Sequence, residues 1–213
     1  MMFTVAIDGP AAAGKGTISK AVAAHYDFAY LDTGLLYRAV AAKVLEGADP
    51  LVAAKTLHPS DLDNANLRTH HVADAASKIA VNADVRAALL KFQRDFACRN
   101  GGAVLDGRDI GTMVLPDASA KLYVTASAQC RAIRRQKELQ DLGDSMSTAQ
   151  VLADVIARDI RDAERTTAPM IAAQDAIIID TSDMTIAQAV AAAVAYIDEK
   201  RTENKGRVLS VSC

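Results

Sequence analysis

Short apolar runs alternate with longer amphipathic stretches along this chain, and the alternation predicts a mainly parallel sheet covered by helices on both faces. The first run, FTVAID at Phe3–Asp8, stops at Gly9, as a buried parallel strand entering a tight turn does. A helical pattern follows from about Lys15 to His25. Phe28–Leu31 forms a second strand, and Thr33 opens a helix to about Glu46. From Gly47 to Asn66 the pattern weakens, with Pro50, Pro59 and several Asp and Asn residues, and an irregular or short-helical connection is expected. Helical periodicity returns over Val72–Ala80 and Asp84–Cys98, and Asn100-Gly101-Gly102 ends it. Ala103–Leu105, Lys121–Thr125 and Ala176–Ile179 supply three further strands. Ala128–Leu139 and Thr148–Arg165 read as helices either side of a polar gap near Gly143, and a final helix spans Ile186–Arg201. The tail after Asn204 is expected to be mobile.

With 213 residues, 51% of them hydrophobic, the chain suits one α/β domain with a sizeable core. A formal net charge of −2 suggests neither a nucleic-acid coat nor a membrane surface, so any handling of anions must be local. The start, MMFTVAIDGP, lacks a basic segment followed by a long apolar stretch, and no window reaches the length of a membrane span. Cys98, Cys130 and Cys213 are an odd set without CxxC spacing and read as reduced thiols, which points to the cytoplasm. The His70–His71 pair lacks metal-ligand spacing and reads as surface.

The sharpest signal is Gly9-Pro10-Ala11-Ala12-Ala13-Gly14-Lys15-Gly16-Thr17, placed between a strand and a helix. Glycines at both ends let backbone N–H groups curl around an anion, and the following helix adds the positive end of its dipole. Lys15 can reach β- and γ-phosphates of ATP, and Thr17 is the candidate Mg²⁺ partner. Gly16 separates the two, where the common form of the loop has Ser or Thr directly after the lysine. The DxxG and NKxD elements of a GTPase switch are missing.

Joining two phosphorylated nucleotides concentrates negative charge and calls for several guanidinium groups with Mg²⁺. Arg38 follows Asp32-Thr33-Gly34, and Arg108 and Asp109 follow Asp106-Gly107 at the end of the third strand. Arg158, Asp162 and Arg165 recur at helical spacing on one face. Asp106, at a strand C-terminus facing the loop, is placed to hold the water shell of a Mg²⁺ ion. Arg158–Asp162 also fits an exposed helix ion pair, and Arg131, Arg134 and Arg135 also fit a solvated basic face.

Taken together, DGPAAAGKGT, LDTGLLYRA, VLDGRDIGTMVLPDA and RDIRDAERTTAPM resemble the bacterial cytidylate kinase family, in order along most of the chain. The resemblance implies a P-loop three-layer α/β sandwich, with five parallel strands in the order 2-3-1-4-5. It also implies one nucleoside-monophosphate kinase domain with a core over 1–46 and 103–201, an acceptor-binding insert over about 47–102 and a lid over about 136–160. Gly47–Asn66 is too short for the three-stranded insert common in that family, so a reduced insert is expected. Direct in-line transfer from ATP to CMP or dCMP follows, with Lys15, Arg108 and Arg165 stabilising charge. Thr33, Arg38, Arg108 and Arg165 would bind the acceptor phosphate; Ser77, Arg86 and Asp109 the cytosine; Arg158 and Asp162 the ribose. Arg131 and Arg135 would stand near the lid over ATP. A monomer acting on small molecules is expected, with no nucleic-acid or membrane partner. A kinase for another small acceptor and an ATP-binding regulator without turnover stand as the rival readings.

Overall fold

The apolar runs become five strands of one parallel sheet in the computed structural model of the chain, which describes residues 2–210. They are β1 (Thr4–Asp8), β2 (Ala29–Asp32), β3 (Ala103–Asp106), β4 (Ala120–Thr125) and β5 (Ile177–Asp180), in the order 2-3-1-4-5. Eight α-helices lie among the described residues: α1 (Lys15–Tyr26), α2 (Thr33–Leu45), α3 (Pro50–Lys55), α4 (His70–Ile79), α5 (Ala83–Ala97), α6 (Ala128–Asp141), α7 (Thr148–Glu164) and α8 (Ile186–Ser210). Most boundaries fall within two residues of the pattern-based expectation.

The sheet is buried on both faces, which is why its central strands read as continuous apolar runs. Val5 and Ile7 face Ile18 and Val22 of α1 and Ala193 and Ile197 of α8. Ala6, pointing the other way, joins Leu31 and Leu105 against Leu36 and Val40 of α2 and Val85 and Leu89 of α5. Between α6 and α7 a smaller seam of Ala132, Leu139, Val151 and Val155 ties those two helices together. Strand register matters for function: Asp106 stands opposite Ile7 on one side and Asp32 on the other. Three carboxylates, Asp8, Asp32 and Asp106, therefore end neighbouring strands at one edge, where open α/β sheets bind ligands.

Four local features differ from or refine the expected outline. The weak segment holds α3 and two 3₁₀ turns, Pro59–Asp63 and Ala65–Arg68. Each is opened by a side chain that accepts from its own first turn: Asp49 from Leu51 and Val52, His58 from Ser60, and Asn64 from Asn66. No strand occurs among residues 47–102. Helix α7 stops at Glu164, so Arg165 leaves the helical face it was expected to share; Ala168 turns left-handed (φ 53°) and Pro169 cannot continue a helix. At the other end, α8 passes Arg201 and runs to Ser210; the rest of the tail expected to be mobile, 211–213 with Cys213, lies outside the described residues.

The fourth feature is a π-helical turn at Ile110–Val114, directly after Asp109. Its first N–H groups are held by the buried Asp8, which accepts from Ile110 N at 2.8 Å and Gly111 N at 2.7 Å. The last residue of β1, which leads into the phosphate loop, thus also fixes the turn that follows Arg108 and Asp109. Asp8→Ala leaves two buried N–H groups unpaired and is expected to lower stability by about 2–4 kcal/mol, read by urea denaturation.

Candidate active site

The phosphate loop is shaped by steric demands that only glycine meets. A Cβ at Gly9, which has φ 136°, would lie 2.0 Å from the carbonyl oxygen of Val124, and Gly14 caps α1 in a left-handed conformation with φ 91°. Even Ala12 is left-handed, at φ 58°. Lys15 begins α1 and is buried, its Nζ donating to the carbonyl of Pro10 at 2.7 Å. Burial, and then repulsion from Arg108, push Lys15 down to about 7, against the pull of Asp106, Asp8 and Asp32. Such a lysine gains from an arriving phosphate.

A cavity of about 470 Å³ opens over this loop. The loop, Lys15 and Thr17 form its floor; Arg38, Arg108, Arg135 and Arg158 converge on it from α2, the β3 end, α6 and α7. Two of their donors, Arg38 Nη1 and Arg158 Nε, are buried without a hydrogen-bond acceptor. Asp32 comes no closer than 3.7 Å to Arg38, and Asp162 no closer than 3.7 Å to Arg158. Burial, and then the neighbouring arginines, push both guanidinium groups down from their usual range. Guanidinium groups crowded together with unfilled donors are prepared for a multiply charged anion.

The other expected site residues lie buried behind this cavity in two connected clusters. Asp109 pairs with Arg86, and with Arg165 at 3.4 Å. Arg165 also donates from Nε to the carbonyl that the left-handed Ala168 turns toward it. Asp162 accepts from Arg108 Nε at 3.0 Å and stands 3.5 Å from the Ser77 hydroxyl. Burial would raise Asp162, yet Arg108, Arg158 and Arg165 hold it below the usual carboxylate range. Arg108 thus links the cavity to the Asp162 cluster. Thr33 is buried nearby, its hydroxyl donating to the carbonyl of Asp106 at 2.7 Å.

The solvated readings fail on burial for the Arg158–Asp162 pair and for Arg131, while Arg134 and Arg135 are half-buried. The Arg158–Asp162 pair lies inside the site, with Asp162 buried. Arg131 is buried, paired with Asp159, and donates to the carbonyls of Ala126 and Ala11, so it braces the phosphate loop from behind. Arg134 is turned onto Thr181 at the end of β5. Arg135 reaches the cavity wall and pairs with Glu138 at 3.0 Å. His70 binds Asp154 at 2.8 Å on the surface. Arg161, unassigned from sequence, donates to Ser77 at 2.9 Å and lies 3.4 Å from Asp74. No spacing signal distinguishes it from the exposed charges of α7.

Comparison with known proteins names this arrangement. Residues 5–60 and 53–199 match the family described as Cytidylate kinase. The chain belongs to the cytidylate kinase family. Among its relatives, the cytidylate kinase of Cereibacter sphaeroides is 57% identical over 205 residues, covering 96% of this chain and 100% of that one. The cytidylate kinase of Xanthobacter autotrophicus is 51% identical over 205 residues, covering 93% and 99%. Solved structures agree in fold at low identity. An uncharacterized protein from Eubacterium ventriosum has TM-score 0.59 at 17% identity, covering 93% of this chain and 99% of that one. A gluconokinase from Sinorhizobium meliloti has TM-score 0.50 at 15%, covering 99% and 98%. In this cytidylate kinase family member, no described helix is long and apolar enough to cross a membrane, and Cys98 and Cys130 are free thiols.

Proposed function

We propose that this chain moves the γ-phosphoryl group of ATP onto the phosphate of CMP or dCMP by direct in-line transfer. The observation that carries the reading is the pair of buried, unfilled guanidinium donors, Arg38 Nη1 and Arg158 Nε, in a cavity floored by a phosphate loop. Lys15 and the loop N–H groups hold the β- and γ-phosphates. Arg38, with Arg108 and Arg165, takes the acceptor phosphate, and Thr33 lines its approach. Arg108 and Arg165 then follow the charge as it develops on the transferring group. An acceptor phosphate oxygen is already ionised, so no general base is required, and no His or Cys lines the cavity among the described residues.

Asp109 accepts from the exocyclic amine of cytosine, while Arg86 and Ser77 donate to its ring nitrogen and carbonyl. Arg158 and Asp162 hold the ribose. Arg135 stands beside a lid over about 136–160 that closes with the insert over 47–102 and excludes water. Arg131 supports the ATP side through the loop backbone rather than by reaching the nucleotide.

The residues around Asp106 suit Mg²⁺. Asp106 is buried and pushed upward by burial and then by Asp32, so a cation would relieve it. Thr17 and Asp32 line the same cavity, and all three offer hard oxygen ligands. Among the described residues no group of three or more His, Cys, Asp or Glu forms a metal cage. The ion would therefore rest mainly on phosphate oxygens and water, with Asp106 and Thr17 orienting that shell. When bound, Mg²⁺ neutralises charge on the β- and γ-phosphates. Free thiols and small charged substrates favour a cytoplasmic location, and we take the protein to be a monomer.

ADP formation with Mg²⁺·ATP against CMP, dCMP, UMP, AMP, GMP and shikimate tests the reading. CMP and dCMP are expected to exceed the other acceptors by at least about tenfold in kcat/KM, the scale set by a few hydrogen bonds to the base. A preference for another acceptor would overturn the cytosine assignments; ATP binding without turnover on any acceptor would leave the regulator.

A further inference from the structure

Arg68 has no place in the machinery described so far, yet its side chain lines the phosphate cavity. It ends the 3₁₀ turn Ala65–Arg68, which begins within the segment Gly47–Asn66 where the sequence pattern is weakest. That turn is well fixed. Asn64 caps it, Thr69 Oγ1 donates to the carbonyl of Asn66 at 2.9 Å, and Leu67, next to Arg68, is 1% exposed. Leu67 is thus the anchor, and Arg68 points away from the core with its side chain 53% exposed.

Two bonds show where Arg68 stands. Its Nη2 donates to Asp32 Oδ2 at 3.1 Å, the same oxygen that lies 3.7 Å from Arg38 Nη1. Its carbonyl accepts from Arg135 Nη2 at 3.3 Å. One residue therefore joins the insert, the end of β2 and helix α6 at the mouth of the cavity. A half-exposed ion pair of this kind is worth about 0–1 kcal/mol. Asp32 also has a second claimant in Arg38. A dianionic phosphate placed between the two guanidinium groups competes easily with a single shared carboxylate.

We propose that Arg68 is a further substrate-contacting residue, an arginine that the reduced insert contributes to the acceptor phosphate. Without acceptor, Asp32 parks Arg68 beside Arg38. With acceptor bound, both guanidinium groups exchange Asp32 for phosphate oxygens, and the insert is drawn onto the core. Arg135, held to the Arg68 carbonyl, follows the same closure. No bond is made or broken; one ion pair is replaced by another. The inference rests on the CMP kinase reading above, and names how that site is completed.

Steady-state kinetics of Arg68→Ala and Arg68→Lys test it, each with and without Asp32→Asn. Arg68→Ala is expected to lower kcat/KM for CMP about ten- to a hundredfold, the range for a charge-assisted hydrogen bond. KM for ATP and the melting temperature should change little, and Arg68→Lys should recover part of the loss. The Asp32→Asn background separates contact from support. If Arg68 touches phosphate, Arg68→Ala costs as much there as in the wild type. A cost that vanishes there means Arg68 serves only its ion pair, and the proposal fails. Wild-type kinetics in Arg68→Ala would also sink it, with the CMP kinase reading intact. A wild-type protein inactive toward CMP would instead remove the reading beneath it.

Discussion

Lys15→Met is expected to leave a folded protein whose turnover is at least about a hundredfold lower, a loss of roughly 3 kcal/mol in transition-state stabilisation. Methionine matches the length of the lysine stem and fills the same buried space, so packing changes little. Only one protein acceptor, the Pro10 carbonyl, is left without its donor. The charge itself does not support the fold. Its pKa falls from 10.5 to about 7, chiefly through burial and then through Arg108. A lysine depressed in this way opposes folding most below pH 7, and that penalty fades as pH rises from about 7 toward 10.5. At neutral pH, removing it should therefore leave the melting temperature unchanged or slightly higher. The catalytic loss has a separate cause: nothing else on the loop carries a positive charge to the γ-phosphate. Thermal melts followed by circular dichroism, with ADP formation measured on the same samples, check both halves. Near-wild-type turnover in the folded variant would remove the phosphate-loop assignment.

The strands and the longer helices were legible because their signals are local. FTVAID before Gly9 predicts β1, and the Ala- and Leu-rich stretches predict α1, α2 and α5 within a residue or two. What escaped depended on contacts distant in sequence. The π-helical turn at Ile110–Val114 is held by a carboxylate 102 residues away, and no periodicity encodes that. The weak segment is a different case. Asp49-Pro50 and His58-Pro59 place a capping side chain before a proline at the first helical position, and both were readable as starts. Helices of one or two turns simply produce too short a pattern to compete with their polar composition.

The site divides along the same line. The phosphate loop has a contiguous motif, so Gly9, Lys15 and Thr17 could be placed from the residues themselves. Arg158–Asp162 shows what spacing leaves out: i,i+4 predicts that the two meet, but not that α7 buries Asp162 against Arg108. Nor does spacing separate Arg131 and Arg134, which face protein acceptors, from Arg135, which faces the cavity. Resemblance supplied Ser77, Arg86 and Asp109, and the structure brings Arg86 and Asp109 into one buried pair. Arg68 had no motif to mark it, and Arg161, though inside the RDIRDAER stretch, was given no role by its spacing.

Asp109→Asn should lower kcat/KM for CMP about ten- to a hundredfold while leaving KM for ATP nearly unchanged. Asparagine is the informative change because of the partners. Asp109 lies between Arg86 and Arg165, whose side chains are 9% and 3% exposed. Alanine would leave two buried guanidinium groups facing each other without a counter-charge, at a cost of about 3–5 kcal/mol in stability. Loss of activity would then report unfolding. Asparagine keeps the shape and one acceptor oxygen, so the fold is strained less and the base contact is tested more directly. A carboxylate only accepts, which suits the amine of cytosine and opposes the carbonyl that uracil carries there. An amide can turn its NH₂ toward that carbonyl. The loss should therefore be smaller for UMP than for CMP, and the preference for CMP should fall by about tenfold. Equal losses for CMP, UMP and ATP would mean that Asp109 only holds Arg86 and Arg165 in place. A selective loss would place the base at the Arg86–Asp109 pair and the phosphate at Arg38 and Arg108, with the sugar spanning Arg158 and Asp162 between them.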